Sequence, residues 1–353
     1  MIKKLCLFST SFAFNRQVVL NYLEKIFSED TEIFLFTPKK HQEHYSSKRA
    51  KIVKTNCNKY TSFFGLRKFC KQNKIDRIMN LGCLPQEGFV MAFASLFTKT
   101  DFVGHVLENP IDSFRIRFNK SGIKAFLAGI FLYPFTFFPK KVFICSEDIL
   151  RLFKRYSFFT RKKISRLPVT VNTDFFSPKT KTRKKINLPL KQKIILFVGR
   201  IEYLKGADII FNLAERNKDW NFILIGKNNT NFLFNKLPNI KIIDSISSEE
   251  LLDYYNSADL CFLPSRIESF GIVPREAMAC GIPTIVSDIT ALRTIRPAIK
   301  VPLDTNKIEE KIKIFFRLSK KEKKSLSANS REWVIKDSGD NTWKQAYIDK
   351  ILN

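Results

Sequence analysis

The stretch PSRIESFGIVPREAMACGIPT, residues 264–284, decides how the rest of the chain is interpreted. It follows the apolar run Cys261–Leu263, which is typical of the end of a buried strand. Pro274 fits the first turn of a helix, because the N–H that proline lacks would have no helical partner there. Gly281 fits the end of that helix. The sequence therefore predicts a strand, a loop and a short helix.

Two glutamates, Glu268 and Glu276, have seven residues between them in this stretch. Beside Gly271, the N-terminus of the predicted helix offers free N–H groups and the positive end of the helix dipole, a natural seat for phosphate. Glu276 lies one turn into the helix, where it can accept hydrogen bonds from a polyhydroxylated ligand, and Glu268 lies in the loop before it. The pattern indicates a ligand that carries both phosphate and hydroxyl groups.

The composition is that of a globular chain with a strong positive charge. Its 353 residues are 44% hydrophobic and 27% charged, which is enough for two domains. Lys and Arg number 61 against 33 Asp and Glu, for a net charge of +28. This charge favours anionic partners such as nucleic acid, an anionic membrane surface or phosphorylated substrates, but a lysine-rich genome explains it equally well.

The seven cysteines are scattered, and no Cys-x-x-Cys pair occurs. With only three histidines in the chain, this pattern argues against a zinc site. Most of the thiols lie in apolar runs, which favours buried, reduced cysteines in a cytosolic protein.

Strand-like and helix-like runs alternate along most of the chain, which predicts parallel sheets covered on both faces. The predicted strands are Leu5–Phe8, Glu32–Phe36, Lys51–Val53, Arg77–Asn80, Asp101–Val106, Lys141–Cys145, Ile194–Val198, Asn221–Ile225, Lys241–Ile243, Leu260–Leu263 and Thr284–Val286. The polar stretch 168–185 has no periodicity and predicts a linker. We therefore expect an α/β fold with two Rossmann-like domains, and ligands at the carboxyl ends of the strands, where Arg200, Gly226 and Glu268 fall.

The run 122–138 is nearly continuous in apolar residues and is flanked by basic ones. It falls slightly short of the ~20 residues that a membrane span needs, and Pro134 interrupts it. A core helix is one interpretation. A helix lying in the plane of an anionic membrane, together with the basic and Phe-rich run 151–163, is another.

The second half of the chain resembles the retaining GT-B glycosyltransferases of family 4, the glycosyl transferases group 1. The resemblance is carried by four segments in order: 197–206 (FVGRIEYLKG), 224–226 (LIG), 248–259 (SEELLDYYNSAD) and 268–283 (ESFGIVPREAMACGIP). It is good from about residue 142 to the end and poor before that.

The resemblance implies a GT-B fold, with two Rossmann-like domains facing each other across a cleft. We expect an acceptor domain over 1–171, a nucleotide-sugar donor domain over 172–337, and a closing helix at about 338–353 that packs back on the first domain. Trp343 lies in that closing helix.

The resemblance also implies roles for individual residues. Arg200 and Lys205 would neutralise the donor pyrophosphate, Glu268 would bind hydroxyls of the donor sugar, and Glu276 would accept both ribose hydroxyls. The remaining donor contacts would come from Gly199 and Gly226 and from backbone N–H groups near Phe270, Gly271 and Ile272. No metal and no cofactor are expected beyond the UDP- or GDP-linked sugar itself, in keeping with the lack of an Asp-x-Asp motif.

Two further positions bear on the implied site. His105, at the carboxyl end of the strand that begins at Asp101, is either a catalytic residue near the reacting sugar or a buried structural histidine. Relatives usually carry a Gly-rich loop after the first strand, whereas this chain has Ser9-Thr10-Ser11-Phe12.

The expected function is retaining, metal-independent transfer of a sugar to a glycan or lipid-linked acceptor in the synthesis of surface polysaccharide or lipopolysaccharide. The protein would be cytoplasmic, with peripheral contact between its N-terminal domain and the inner face of the cell membrane as a further expectation. Two alternatives are a basic nucleic-acid-binding protein and a non-catalytic GT-B scaffold. The lack of a known nucleic-acid-binding motif argues against the first, and the intact Arg200, Lys205, Glu268 and Glu276 argue against the second.

Overall fold

The computed structural model describes the residues 2–10, 14–58, 61–81, 85–96, 98–106, 138–156, 162–180, 183–189, 191–232, 234–268 and 270–351. The chain separates into two compact units. Unit 1 comprises Met1–Pro168 and Lys344–Asn353, and unit 2 comprises Val169–Trp343.

Unit 1 is built on a parallel sheet of seven strands in the order β3-β2-β1-β4-β5-β6-β7. The strands are β1 (Lys4–Phe8), β2 (Glu32–Phe36), β3 (Lys51–Ile52), β4 (Arg77–Asn80), β5 (Asp101–Val106), β6 (Lys141–Ile144) and β7 (Ile164–Arg166). The described helices that begin in this unit are α1 (Phe14–Ile26), α2 (Ser62–Asn73), α3 (Pro85–Leu96) and α4 (Glu147–Tyr156). Strands that reverse their order about β1 in this way are typical of a doubly wound sheet.

Unit 2 repeats this plan with six parallel strands in the order β10-β9-β8-β11-β12-β13. The strands are β8 (Lys193–Val198), β9 (Trp220–Ile225), β10 (Ile240–Ile243), β11 (Leu260–Leu263), β12 (Thr284–Ser287) and β13 (Ile299–Val301). The described helices that begin here are α5 (Ala207–Arg216), α6 (Ser248–Ser257), α7 (Ile272–Ala279), α8 (Thr290–Arg293), α9 (Thr305–Arg317), α10 (Lys320–Ser338) and α11 (Asp340–Ile351).

The central strands of unit 2 are buried on both faces. Every residue of β11 is at most 2% exposed, and so is every residue from Ile194 to Phe197 in β8. Strands covered on both faces need continuous apolar runs rather than alternation, which is why these segments are easily recognised in the sequence.

The predicted α/β class and its parallel sheets are confirmed. The predicted start of α6 is also confirmed, because Ser247 and Glu250 form a reciprocal capping box. The sequence interpretation missed β7, β13 and the helices α4, α8, α9 and α10.

None of the described helices is both long and apolar enough to cross a bilayer. Apart from Phe138, the run 122–138 lies outside the described residues, so the interpretations that depend on it are not tested.

Candidate active site

Three loops that carry predicted site residues leave the same edge of the unit 2 sheet. β8, β9 and β11 run parallel, so their carboxyl ends lie together. Gly199 and Arg200 follow β8, Gly226 follows β9, and Glu268 lies in the loop after β11. Gly199 donates its N–H to the carbonyl of Ile225 at 2.9 Å, which ties the first loop to the end of β9.

Two glycines allow these loops to approach one another. Gly226 has a φ of +141°, and a Cβ there would collide with the carbonyl oxygen of Gly199. Gly206 has a φ of +79°, and a Cβ there would collide with the carbonyl oxygen of Pro264. The second contact brings the turn that contains Lys205 against the loop that contains Glu268.

Lys205 and Glu268 form a half-buried ion pair. Lys205 Nζ lies 2.6 Å from Glu268 Oε1, and the two side chains are 19% and 15% exposed. The Lys205 ammonium also donates to the carbonyl of Ile267 at 3.3 Å, and the Ser265 hydroxyl donates to Glu268 Oε1 at 3.0 Å. The structure therefore brings together two residues that the sequence interpretation assigned to different parts of the ligand.

Arg266 strengthens the same junction between the two loops, a role that the sequence did not indicate. Its guanidinium donates to both carboxylate oxygens of Asp208 at 2.7 Å and to the carbonyl of Tyr203 at 2.6 Å. It also lies 3.8 Å from the centroid of the Tyr203 ring. These contacts hold the Lys205 turn against the Glu268 loop.

Arg200, the other predicted phosphate-binding cation, is more exposed than Lys205. Its guanidinium lies 3.1 Å from Glu202 Oε1, and the Arg200 side chain is 65% exposed. A long side chain at this exposure can leave a weak surface ion pair at little cost. Arg200 can therefore swing toward an anion above the end of β8.

Glu276 accepts a hydrogen bond from a buried tyrosine. The hydroxyl of Tyr255 in α6 donates to Glu276 Oε2 at 2.9 Å. Burial raises the pKa of Glu276 to about 7, and the Tyr255 hydrogen bond offsets only part of that rise. Near neutral pH the Glu276 carboxyl is thus balanced between its charged and neutral forms.

The loop after β11 leads into the N-terminus of α7 at the same edge of the sheet. Gly271 is the N-cap of α7 in the left-handed region, with a φ of +75°, and Phe270 before it is buried. Pro274 lies in the first turn, as predicted. The first N–H groups of a helix have no helical acceptor, so those of Ile272 and its neighbours are suited to an anion.

Arg275 is a buried residue of α7 that the sequence interpretation did not single out. It is fully buried, and one of its guanidinium nitrogens donates to the carbonyls of Phe270 and Gly271. Its guanidinium also lies 3.5 Å from a carboxylate oxygen of Asp337 in α10. In the sequence it looks like an ordinary polar position on a short helix, and nothing in its spacing marks it as buried.

His105 lies in unit 1 and is enclosed there. It is the penultimate residue of β5 and only 5% exposed. Its Nδ1 is 3.0 Å from the carbonyl oxygen of Asn80, and its Nε2 is 3.4 Å from the hydroxyl of Tyr347. Burial lowers the His105 pKa to about 4, so the ring is neutral at pH 7. These contacts fit the structural alternative, and the catalytic role stays a prediction.

The loop after β1 is held by a buried ion pair. Arg16 and Glu87 are 2.6 Å apart, with side chains 6% and 0% exposed. Glu87 Oε1 also accepts the N–H of Thr10 at 2.8 Å, and Arg16 donates to the Ser9 hydroxyl at 2.6 Å. In place of glycines, this loop uses polar side chains to fix its backbone.

The described residues contain no cluster of three or more His, Cys, Asp or Glu side chains placed to hold a metal ion. Independence from metal remains a prediction of the sequence. The structure thus defines an α/β protein with two doubly wound sheets, one of which carries the Lys205–Glu268 pair at its carboxyl edge and Glu276 one turn into α7.

Comparison with known proteins identifies the family of unit 2. Residues 178–333 match the family model described as glycosyl transferases group 1. The resemblance to this family that the sequence analysis expected is confirmed for this part of the chain.

A curated relative matches part of the chain. The D-inositol 3-phosphate glycosyltransferase of Xylanimonas cellulosilytica is 28% identical over 170 residues, which cover 42% of this chain and 40% of the relative. The chain therefore matches well under half the length of this relative.

Solved structures match nearly the whole chain. Anabaena Alr3699/HepE in complex with UDP-glucose superimposes with a TM-score of 0.78 at 14% identity, over 99% of both chains. WaaG, a glycosyltransferase involved in lipopolysaccharide biosynthesis, gives a TM-score of 0.75 at 14% identity, over 99% of this chain and 100% of that one. At such identities the likeness shows the fold alone, and the expected GT-B fold is confirmed.

Proposed function

We propose that the protein is a glycosyltransferase that moves a sugar from a UDP- or GDP-linked donor to a glycan or lipid-linked acceptor. The observation that carries the proposal is the Lys205–Glu268 pair in the loops at the carboxyl edge of the unit 2 sheet, where α7 also begins, with Glu276 one turn into that helix. A nucleotide-sugar offers a group for each of them: phosphates, sugar hydroxyls and ribose hydroxyls. The similarity to a protein crystallised with UDP-glucose supports this ligand class.

In the proposed complex the donor lies along this edge. Glu276 accepts hydrogen bonds from the two ribose hydroxyls, and Tyr255 below it holds the carboxyl in place. Lys205 and Arg200 approach the diphosphate, and the N–H groups of Gly271 and Ile272 face the phosphate and the sugar. Glu268 accepts from sugar hydroxyls while its other oxygen keeps the Lys205 contact.

The proposed reaction breaks the bond between the anomeric carbon and the donor phosphate oxygen. A bond from the acceptor oxygen to the same face of that carbon forms, and the acceptor proton passes to the departing phosphate. Negative charge grows on the diphosphate as it leaves, so fixed cations and N–H dipoles accelerate the step. These groups suffice for the diphosphate, so we propose that no metal is needed.

The proposed acceptor follows from the charge of the chain and from its fold. The net charge of +28 favours an anionic acceptor surface, and WaaG shares the fold. We therefore propose surface polysaccharide or lipopolysaccharide synthesis at the cytoplasmic face of the membrane.

Calorimetric titration of the full chain with UDP-glucose and GDP-mannose, with and without EDTA, tests the donor. We expect saturable binding of at least one of them, unchanged by EDTA, and loss of binding in Glu276→Ala without loss of the folded circular dichroism spectrum. No binding of nucleotide-sugars, together with tight and salt-dependent binding of DNA or RNA, would overturn the proposal in favour of a nucleic-acid-binding protein.

Stereochemistry is tested separately, by nuclear magnetic resonance of the product linkage once an acceptor is found. We expect the anomeric configuration of the donor to be kept. An inverted product would contradict same-face attack.

A further inference from the structure

Arg275 is a charged residue in a fully buried position. Its exposure is 0%, and it lies in an eight-residue helix of a packed domain. A buried cation is costly unless its hydrogen bonds and charge are met, and an apolar side chain of similar volume often replaces it without loss of stability. The contacts of Arg275 therefore need an explanation beyond packing.

Those contacts converge on the backbone in front of α7. One guanidinium nitrogen donates to the Phe270 carbonyl and, at 3.0 Å, to the Gly271 carbonyl. The guanidinium plane lies 3.6 Å from the centroid of the Phe270 ring. Arg275 thus fixes two successive peptide groups and the aromatic side chain of Phe270 directly before α7.

A fixed carbonyl also fixes the next N–H. In a trans peptide the C=O and the N–H of the following residue lie in one plane and point in opposite directions. The Phe270 and Gly271 carbonyls point inward to Arg275, so the N–H groups of Gly271 and Ile272 point away from it. These are two of the N–H groups that the proposed function assigns to the donor.

The guanidinium is itself anchored on another helix. It lies 3.5 Å from Asp337 Oδ2 and 5.4 Å from the centroid of the Trp333 ring, both in α10. Lysine cannot reproduce this arrangement, because its single ammonium nitrogen cannot donate to the two carbonyls, place a second nitrogen near Asp337 and lay a planar group against the Phe270 ring at the same time.

We propose that Arg275 is a positioning residue that aims the N–H groups of Gly271 and Ile272 at the diphosphate and sugar of the donor. The proposal rests on the proposed function for the identity of the ligand. Its predicted signature is selective: the contacts of phosphate and sugar depend on Arg275, whereas the ribose contact through Glu276 and Tyr255 does not.

The test compares Arg275→Lys with Arg183→Lys in the full chain. Arg183 is a matched control, since it is also buried in unit 2, donates to three backbone carbonyls and pairs with Asp259 at 2.7 Å. It lies before β8, at the opposite edge of the sheet. Each variant is titrated with UDP-glucose and uridine, or with GDP-mannose and guanosine, according to which pair the unaltered chain binds.

For Arg275→Lys we expect affinity for the nucleotide-sugar to fall at least about tenfold, the equivalent of one misdirected hydrogen bond. Affinity for the nucleoside, which has no phosphate, should change less than about threefold. Arg183→Lys should change neither. Equal losses for both ligands, or no loss, would overturn the proposal, because a merely structural arginine would not separate them.

Amide hydrogen exchange without any ligand gives a second readout. Exchange in a peptide covering 270–273 should quicken in Arg275→Lys and stay unchanged in Arg183→Lys. Unchanged exchange in Arg275→Lys would refute the proposal that Arg275 fixes the backbone at Phe270 and Gly271. If the unaltered chain binds no nucleotide-sugar, the proposed function fails, and the exchange measurement still decides whether Arg275 orders this loop.

Discussion

Replacing Glu276 with glutamine keeps the shape of the side chain and its contact with the Tyr255 hydroxyl, but removes the ionisable group. Burial raises the pKa of this carboxyl from 4.5 to about 7. With that pKa, about one-tenth of the carboxyl is ionised at pH 6 and about nine-tenths at pH 8. If the carboxylate is the form that accepts both ribose hydroxyls, donor affinity should rise about tenfold over this range.

The same substitution predicts a change in stability. A carboxyl whose pKa is raised by folding stabilises the folded state below pH 4.5, and this contribution is lost as the pH rises through about 7. The full shift corresponds to at most about 3 kcal/mol. Glutamine does not ionise, so Glu276→Gln does not lose this stability as the pH rises. From pH 5 to pH 8, its free energy of unfolding should therefore increase by up to that amount relative to that of the unaltered chain.

The assay is calorimetric titration with a nucleotide-sugar at pH 6, 7 and 8, beside chemical unfolding of both proteins at pH 5 and 8. A nucleotide-sugar is needed because the terminal phosphate of free UDP itself titrates near pH ~6. We expect a rising affinity in the unaltered chain and a flat, weaker one in Glu276→Gln. A parallel rise in both proteins would refute the carboxylate as the titrating group, and equal affinities at pH 8 would refute its contact with ribose.

Two further predictions concern the other site residues. Lys205→Met should lower the rate of sugar transfer by about 10²- to 10³-fold, since it removes a cation from the leaving diphosphate. It should also lower the stability, because Glu268 loses its partner, and the double variant Lys205→Met/Glu268→Gln should regain the stability but not the rate. Full activity of the double variant in a transfer assay would contradict this role. His105→Leu should cost about 1–3 kcal/mol in free energy of unfolding, because the Asn80 carbonyl and the Tyr347 hydroxyl lose their partner in the core. Unchanged stability with lost turnover would instead establish the catalytic role predicted for His105.

The elements that the sequence predicted best are those whose pattern is local. The strands β2, β4, β5 and β11 were predicted with the bounds that the structure gives them, because each contains consecutive apolar residues, as buried parallel strands do. The start of α7 was predicted from Pro274 and Gly271, since each residue restricts the backbone at its own position.

The elements that were missed have weak local signals. β13 is three residues long and contains Lys300, so its apolar run is too short to recognise. α9 and α10 are rich in lysine, and only a narrow stripe of each is buried, at positions such as Ile308, Ile312 and Val334. Such helices are recognised by the surface on which they pack, which the sequence does not display.

The sequence names candidate site residues one by one, but it does not show which of them pair. Lys205 and Glu268 are 63 positions apart in the chain, and their ion pair depends on the close approach of Gly206 to Pro264. Arg275 and Asp337 likewise meet only because α7 and α10 pack together. Motif spacing indicates which side chains lie at an edge of the sheet, whereas the tertiary structure determines which of them form ion pairs.

These pairings change how the proposed donor site would attract its ligand. Lys205, Arg200 and Arg275 each have a carboxylate partner within 3.5 Å, so none of them presents an uncompensated charge. The positive charge of the chain, +28 overall, is therefore not concentrated on these three residues. The diphosphate would instead be held by hydrogen-bond donors that point at it. These are the N–H groups at the start of α7, the third N–H of the Lys205 ammonium and the exposed guanidinium of Arg200. Directed hydrogen bonds are screened less by salt than a diffuse field is, so donor affinity should depend on ionic strength far less than any binding of nucleic acid to the basic surface.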